Sequence, residues 1–139
     1  MNFQQSITIN APIHTIFEQY KQVEHWHLWD ENVQSASLHG IFKTGTSGTL
    51  NPVQGPRATF ELSEVTSNQS FTTKTKLPFC ILTFEHTLSE AEHGIHVTHH
   101  VYFTGALTFI FAKLIGSSIK KDLPQALLGL KRICEKPTT

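Results

Sequence analysis

The start and the middle of the chain alternate apolar and polar side chains, which is the pattern of half-buried β-strands. Phe3, Ile7 and Ile9 share one face of residues 2–9. Turn-forming residues punctuate the stretch from about residue 33 to 104 at hairpin spacing, so we expect about six antiparallel strands there, each with one apolar face. The clearest alternation lies at residues 58–64, 71–77, 82–88 and 97–103.

Two other parts of the chain repeat apolar residues at helical spacing. Those from Ile13 to Tyr20 follow Pro12 at steps of three and four, and a short helical turn is expected at 23–29. The same steps from about 107 to 135 predict a long final helix, which Pro124 is expected to kink or briefly interrupt. The first half of this helix is apolar nearly all round, so we expect it to be covered on more than one side.

Hairpin geometry gives an independent assignment of the inner face, because opposed residues of a hairpin share a face. A two-residue loop at 67–68 and a four-residue loop at 78–81 fit the turn chemistry. A loop of two or four residues near His93 keeps the next two strands in phase. The expected opposed pairs are Leu62–Thr73, Leu77–Leu82 and Thr75–Phe84.

Composition removes several classes of function. Among 139 residues, eleven basic side chains balance eleven acidic ones, so no basic field attracts nucleic acid. Cys80 and Cys134 stand in no metal spacing and no leader peptide precedes them, which predicts reduced thiols in a cytoplasmic protein. No phosphate loop, nucleophile elbow or dinucleotide fingerprint is present, and no cofactor is expected.

The longest apolar run, residues 105–116, is too short for a transmembrane segment, which needs about 20 residues. A buried helix is the favoured interpretation, and a surface that touches lipid is the alternative. Lys120 and Lys121 are interpreted as a solvated helix face.

The order of one strand, two helices, about six strands and a closing helix resembles the START-like helix-grip superfamily (SRPBCC), most closely its polyketide cyclase/dehydrase branch. The resemblance covers nearly all of 1–139 as a single domain. It implies an α+β fold in which a bent antiparallel sheet of about seven strands wraps a long C-terminal helix across a deep cavity. Members bind lipids, sterols or other apolar molecules, or cyclise or dehydrate polyketides, without a shared catalytic signature. The matching segments are 9–12 (INAP), 23–30 (VEHWHLWD), 40–48 (GIFKTGTSG) and 123–131 (LPQALLGLK).

His86 and His99 are the sharpest candidates for a role in such a cavity. Both lie on the inner face of neighbouring predicted strands, directly opposite or diagonal, with Cβ atoms about 5–8 Å apart. They could orient a ligand or act as general acid and base. The alternative is that each is a core histidine satisfied by a backbone carbonyl.

A metal site is not expected, because it needs three or four converging ligands. His96 and His100 point away from His99, and they are about 13 Å apart along one strand. A third ligand for the inner pair would have to be His27, from the short helix.

Aromatic side chains and two threonines complete the candidate lining of the cavity. Trp26 and Trp29 share a face of the short helix and either wall the cavity or plug it, the plug being slightly favoured for at least one of them. Thr73 and Thr75 offer inward hydroxyl groups. The inward-facing phenylalanines are Phe60, Phe71, Phe84, Phe103 and Phe111.

Three functions fit this pattern. The leading hypothesis is a binding protein for a small apolar molecule of lipid, polyketide or aromatic type. The second is a cyclase or dehydratase in which the histidines move protons. The third is an interaction module with a filled core, whose apolar surface near 109–111 pairs subunits, so that either a monomer or a homodimer is compatible with the sequence.

Overall fold

The computed structural model describes residues 2–136, and within them it contains seven strands, two α-helices and one short 3-10 helix. The helices are α1 (Ile13–Lys21), the 3-10 helix (Val23–Leu28) and α2 (Thr108–Glu135). The strands are β1 (Asn2–Ile9), β2 (Val33–Leu38), β3 (Ser47–Pro52), β4 (Ala58–Thr66), β5 (Ser70–Leu77), β6 (Cys80–Ala91) and β7 (Gly94–Thr104).

All seven strands form one curled antiparallel sheet in the order β1-β7-β6-β5-β4-β3-β2. Strands β2 to β7 follow one another as hairpins, whereas β1 joins the far edge by pairing with β7. Helix α2 lies across the concave face, and α1 and the 3-10 helix cover one end of it. The predicted α+β fold, with its seven-stranded sheet and long closing helix, is confirmed.

The turn between β5 and β6 is shorter than predicted. Leu77 pairs with Cys80, so the loop has two residues rather than four, and the expected pairings of Leu77 with Leu82 and of Thr75 with Phe84 are wrong. Leu82 instead opposes Thr75, and a shift of two residues leaves every side chain on its predicted face. The turn places Phe79 in the left-handed region at φ 53°.

The turn between β4 and β5 is longer than predicted, yet its expected pairing is correct. Thr66 pairs with Ser70, which leaves three residues in the loop instead of two. A β-bulge between Leu62 and Glu64 absorbs the extra residue and brings Leu62 opposite Thr73. The hydrophobic pattern and the bulge therefore agree on the inner face.

Helix α2 runs unbroken through Pro124, so the expected interruption does not occur. Its second half is fastened to the start of the chain, where Lys131 Nζ donates to the Thr8 carbonyl at 3.0 Å and Asn10 N–H donates to Glu135 Oε2 at 2.7 Å. Here the helix also packs on Trp29: a Cβ added to Gly129 would lie 1.9 Å from the Trp29 carbonyl oxygen.

The first half of α2 is less covered than the sequence suggests. Phe109 is 72 % exposed and Leu114 is 69 % exposed, so the expectation of cover on more than one side is wrong. The buried apolar residues accordingly form two clusters. One fills the end of the concave face under α1 and the 3-10 helix, and the other lies under the first half of α2.

Candidate functional site

His86 on β6 and His99 on β7 lie directly opposite each other on the inner face of the sheet. Their ring centroids are 4.6 Å apart and the rings are nearly perpendicular, at 74°. His86 is 8 % exposed and His99 is 3 % exposed. The sheet register therefore brings together the two histidines that the sequence singled out.

Each histidine has one polar partner among the described residues. His86 Nδ1 donates to the Phe71 carbonyl at 3.1 Å, and the Phe71 ring stacks on the imidazole with centroids 3.9 Å apart. His99 Nε2 lies 2.8 Å from the Tyr20 hydroxyl of α1. Sequence reasoning placed Tyr20 on the core face of α1 and missed this contact, although a buried hydroxyl needs a partner.

Aromatic rings close the space around this pair. Trp26 Nε1 donates to the Tyr20 carbonyl at 3.0 Å, and the Trp26 ring stacks on Phe60. Trp29 packs edge-on against Tyr20 with centroids 6.0 Å apart. Both tryptophans are buried and pack into this end of the interior, so the histidines do not line an open chamber.

Burial controls the protonation of the pair. It lowers the pKa of His86 to about 4, against a smaller opposing effect of the hydrogen bond to Phe71. Burial, followed by the neighbouring His86, lowers the pKa of His99 well below its ordinary value. Both rings are thus neutral at pH 7. Because His86 uses its Nδ1 proton on a carbonyl, its Nε2 is a lone-pair acceptor. It makes no hydrogen bond within residues 2–136 but is not fully buried there, whereas Trp29 Nε1 and Asn32 Nδ2 are buried without a partner.

The interior under the first half of α2 is less tightly closed. Phe103, Leu82 and Thr73 are buried there, but other inward side chains of the same region are only half-buried. Phe111, one of the predicted lining residues, is among them and starts a row of side chains along one flank of α2. The half-buried set is Thr75, Leu77, Phe84, Phe111, Ile115 and Ile119.

The direction of this flank follows from helix geometry. Phe111, Ile115 and Ile119 are four residues apart and form one row. Gly129 is eighteen residues beyond Phe111, which is five full turns or about 27 Å, so it points to the same side. At Gly129 that side is covered by the Trp29 backbone, whereas at Phe111 the row is half-buried. Gly116, on the opposite flank, lies against the ring of Phe3 in β1.

Two open depressions border this half of the molecule. One, of about 340 Å³, lies at the β5–β6 turn and is lined by Lys76, Leu77, Phe79, Cys80, Ile81, Thr104 and Gly105. The other, of about 410 Å³, lies between β1 and α2 and is lined by Asn2, Phe3, Gln4, Gln5, Lys120 and Leu123. Neither is lined by His86 or His99.

Other reactive groups do not assemble into a second centre. Within the described residues, no three His, Cys, Asp or Glu side chains come together as metal ligands. Cys80 and Cys134 are both buried, and burial raises the pKa of the Cys134 thiol to about 12. Burial, together with the nearby charges of Asp122 and Glu31, raises the pKa of Asp30 to about 6, although hydrogen bonding to Asn32 opposes the shift.

Comparisons with known proteins agree with the fold. Residues 1–135 match the model of a family described as polyketide cyclase / dehydrase and lipid transport. A search of curated proteins finds no match to the sequence.

Solved structures share the architecture at low sequence identity. Protein MLL2253 from Mesorhizobium loti superimposes with a TM-score of 0.80 and 14 % identity, covering 100 % of both chains. The di-domain ARO/CYC StfQ from the steffimycin biosynthetic pathway has a TM-score of 0.80 and 8 % identity, over 96 % of this chain and 50 % of that one. The Aha1 dimer from Colwellia psychrerythraea has a TM-score of 0.73 and 16 % identity, over 97 % and 96 %. At these identities the likeness shows the fold alone.

Proposed function

The chain belongs to the polyketide cyclase / dehydrase and lipid transport family, and from that premise we propose that it binds a small apolar molecule between the first half of α2 and the inner face of β5 and β6. The observation that carries the proposal is the difference between the two ends of one flank of α2. The flank is closed by Trp29 at Gly129 and is lined by half-buried apolar side chains from Phe111 to Ile119.

Apolar contact would supply most of the affinity. Phe84 and Leu77 on the sheet and Phe111, Ile115 and Ile119 on α2 keep apolar surface in water that a ligand could cover. Each square ångström covered contributes roughly 25 cal/mol. A lipid-, polyketide- or aromatic-like molecule therefore fits this lining better than a polar metabolite.

His86 is the residue that we expect to orient the ligand, because its ring lies 6.3 Å from that of Phe84, where the closed aromatic end meets the half-buried lining. Its Nε2 is an acceptor with no partner among the described residues, so a ligand hydroxyl would satisfy it. The half-buried Thr75 hydroxyl is a second polar group on the inner face. His99 contributes indirectly, because its Nε2 already contacts Tyr20.

The protonation states favour binding over acid–base catalysis. With a pKa of about 4 for His86 and a lower than ordinary pKa for His99, neither ring carries a proton to donate as imidazolium at pH 7. A general acid works best when its pKa lies near the operating pH. The alternative of a cyclase or dehydratase that uses both histidines as acid and base is therefore the weaker candidate.

Native mass spectrometry of the purified protein, combined with titration of the neutral fluorescent probe N-phenyl-1-naphthylamine, tests the proposal. Ile115→Trp should fill the space beside α2 and weaken probe binding at least about tenfold. Leu128→Trp is the matched control, because Leu128 is an exposed residue on the second half of the same helix, and it should leave the affinity unchanged. Equal affinities of wild type and Ile115→Trp, with no retained molecule in the mass spectrum, would refute the proposal.

A further inference from the structure

The first half of α2 and the β5–β6 turn together expose four large apolar side chains, which we call the docking face: Phe79, Phe109, Ile110 and Leu114. Phe79 is 79 % exposed, and Phe109 and Leu114 are exposed nearly as much. Isolated exposed apolar residues are ordinary, but four of this size within the first two turns of a helix and the turn bonded to its start mark an interaction surface.

The backbone fixes the turn against the helix start. Leu107 N–H donates to the Phe79 carbonyl at 3.1 Å, and Cys80 Sγ lies 4.0 Å from Thr108 Oγ1. Gly105 allows the approach, because a Cβ there would lie 2.7 Å from the Phe79 carbonyl oxygen. The Phe79 backbone is therefore held beside the start of α2, and its side chain is exposed at that position.

The charge around the docking face is one-sided. Residues 74–85 and 105–122 carry five lysines against two acidic residues, although the whole chain has eleven of each sign. One of the two, Glu85, is engaged by His100 and Tyr102 on the outer face of the sheet. Lys113 lies within the apolar part of the helix surface, and Lys120 and Lys121 follow it two turns later.

The depression beside Phe79 also combines apolar side chains with a lysine. Its lining is mostly apolar, with Leu77, Phe79 and Ile81, and it carries one lysine, Lys76. Such a lining fits the upper part of an acyl chain whose negative headgroup lies near the ammonium group.

We propose that the docking face, with Lys76, Lys113, Lys120 and Lys121 around it, binds the surface of an anionic phospholipid bilayer. A second copy of the chain fits less well, because a two-fold contact would bring the same lysines face to face. Apolar side chains ringed by lysines complement a bilayer with negative headgroups. The protein would lie on the bilayer, since no helix among the described residues is long and apolar enough to cross it.

The docking face lies next to the proposed ligand site. Phe111, which begins the half-buried row of the proposed ligand site, is three residues before Leu114 in α2, so the two side chains are neighbours on the helix surface. A molecule leaving the bilayer beside Leu114 would meet that row first. The bilayer contact itself does not depend on the ligand proposal, because its residues are exposed and are not those that line the inner face.

Co-sedimentation with vesicles tests the proposal. The probes are phosphatidylcholine vesicles and phosphatidylcholine vesicles in which about one third of the lipid is phosphatidylserine. Wild type should sediment with the anionic vesicles in a salt-dependent manner. The double variant Phe109→Ser/Leu114→Ser should lose at least about tenfold in affinity. The variant Lys113→Gln/Lys120→Gln should lose about fivefold for each lysine.

The control is Ile41→Ser, because Ile41 is 73 % exposed in the β2–β3 loop and carries a comparable apolar surface outside the docking face. Its vesicle affinity should match that of wild type, and all the variants should melt within a few degrees of wild type. The proposal is overturned if wild type does not sediment with the anionic vesicles, or if Phe109→Ser/Leu114→Ser binds them with the affinity of wild type. A dimer in light scattering that this double variant converts to a monomer would also overturn it, by showing that a second copy occupies the face.

Discussion

Replacing Gly129 by alanine should weaken the packing between α2 and the Trp29 segment, which closes the aromatic end of the interior. The added Cβ would lie 1.9 Å from the Trp29 carbonyl oxygen and 2.9 Å from the carbonyl carbon, whereas ordinary contacts begin at 3.4 Å. The obstacle is backbone, which cannot rotate away as a side-chain tip can. The helix and the Trp29 segment must therefore separate by about 1.5 Å, which disturbs the packing on both sides.

The expected cost follows from two opposing effects. Overpacking of this kind costs about 3 kcal/mol, while alanine in place of glycine inside a helix contributes about 1 kcal/mol of stability. The net loss is about 2 kcal/mol, or a melting temperature lower by about 6 °C for a chain of this length. Denaturant unfolding followed by circular dichroism measures both quantities.

Gly116→Ala is the matched control, because it makes the same substitution in the same helix. There the added Cβ would lie 3.2 Å from the outer ring carbon of Phe3, a side chain that can shift. Gly116→Ala should therefore be neutral or more stable than wild type by up to about 1 kcal/mol. If Gly129→Ala were as stable as Gly116→Ala, the close approach of Trp29 to α2 would not exist as described.

Two further predictions concern the buried ionisable groups. Asp30→Asn should raise stability at pH 8 by about 1–3 kcal/mol, because it removes a buried charge whose pKa is raised to about 6 and keeps an oxygen for the Asn32 N–H. Tyr20→Phe should cost about 1–2 kcal/mol by leaving His99 Nε2 without its partner. The same change made in a His99→Phe background should cost much less, which a double-mutant cycle measures.

The pH dependence of stability provides the check on these groups. Between about pH 6.5 and 4 the unfolded chain protonates His86 while the folded chain does not, so His86 alone lowers stability by up to about 3 kcal/mol as pH falls, and the lowered pKa of His99 adds to the loss. Asp30 opposes this trend, since the folded chain takes up its proton first, below about pH 6. Asp30→Asn should therefore lose stability more steeply on acidification than wild type. Parallel curves for the two proteins would contradict the assignment of Asp30 as a buried carboxylate, and equal costs of Tyr20→Phe in both backgrounds would contradict the Tyr20–His99 bond.

The sequence was sufficient to predict the faces of the strands but not the closure of the interior. Alternation defines a face by a period of two. The predicted loop after Leu77 was two residues too long, which gave Thr75 the wrong partner but left its side chain on the inner face. The extra residue after Thr66 was absorbed by a bulge in the same way. The predicted inner face therefore survived both errors in loop length. A register shift of two residues keeps each side chain on its face, and a bulge absorbs a single extra residue.

Contacts between distant elements were beyond the reach of the sequence pattern. Tyr20 meets His99 across 79 positions, and no local periodicity reports on such a pair. The apolar first half of α2 shows the same limit. A run of apolar residues predicts a surface that is buried, but it does not say whether the sheet, a ligand or a membrane buries it. Phe109 belongs to such a run and is not covered by the rest of the chain.

The pairing of β1 with β7 also affects the order in which the strands can pair while the chain is being synthesised. Strands β2 to β7 can zip together as neighbouring hairpins, whereas β1 must find a partner about ninety residues further along the chain. At ribosomal speeds of about 5–20 residues per second, β1 is exposed for roughly 5–20 seconds before β7 has been made. We therefore expect the hairpin meander to nucleate folding, and β1 to be among the last strands to dock, covering an edge of β7 that would otherwise be free to add a strand from another chain.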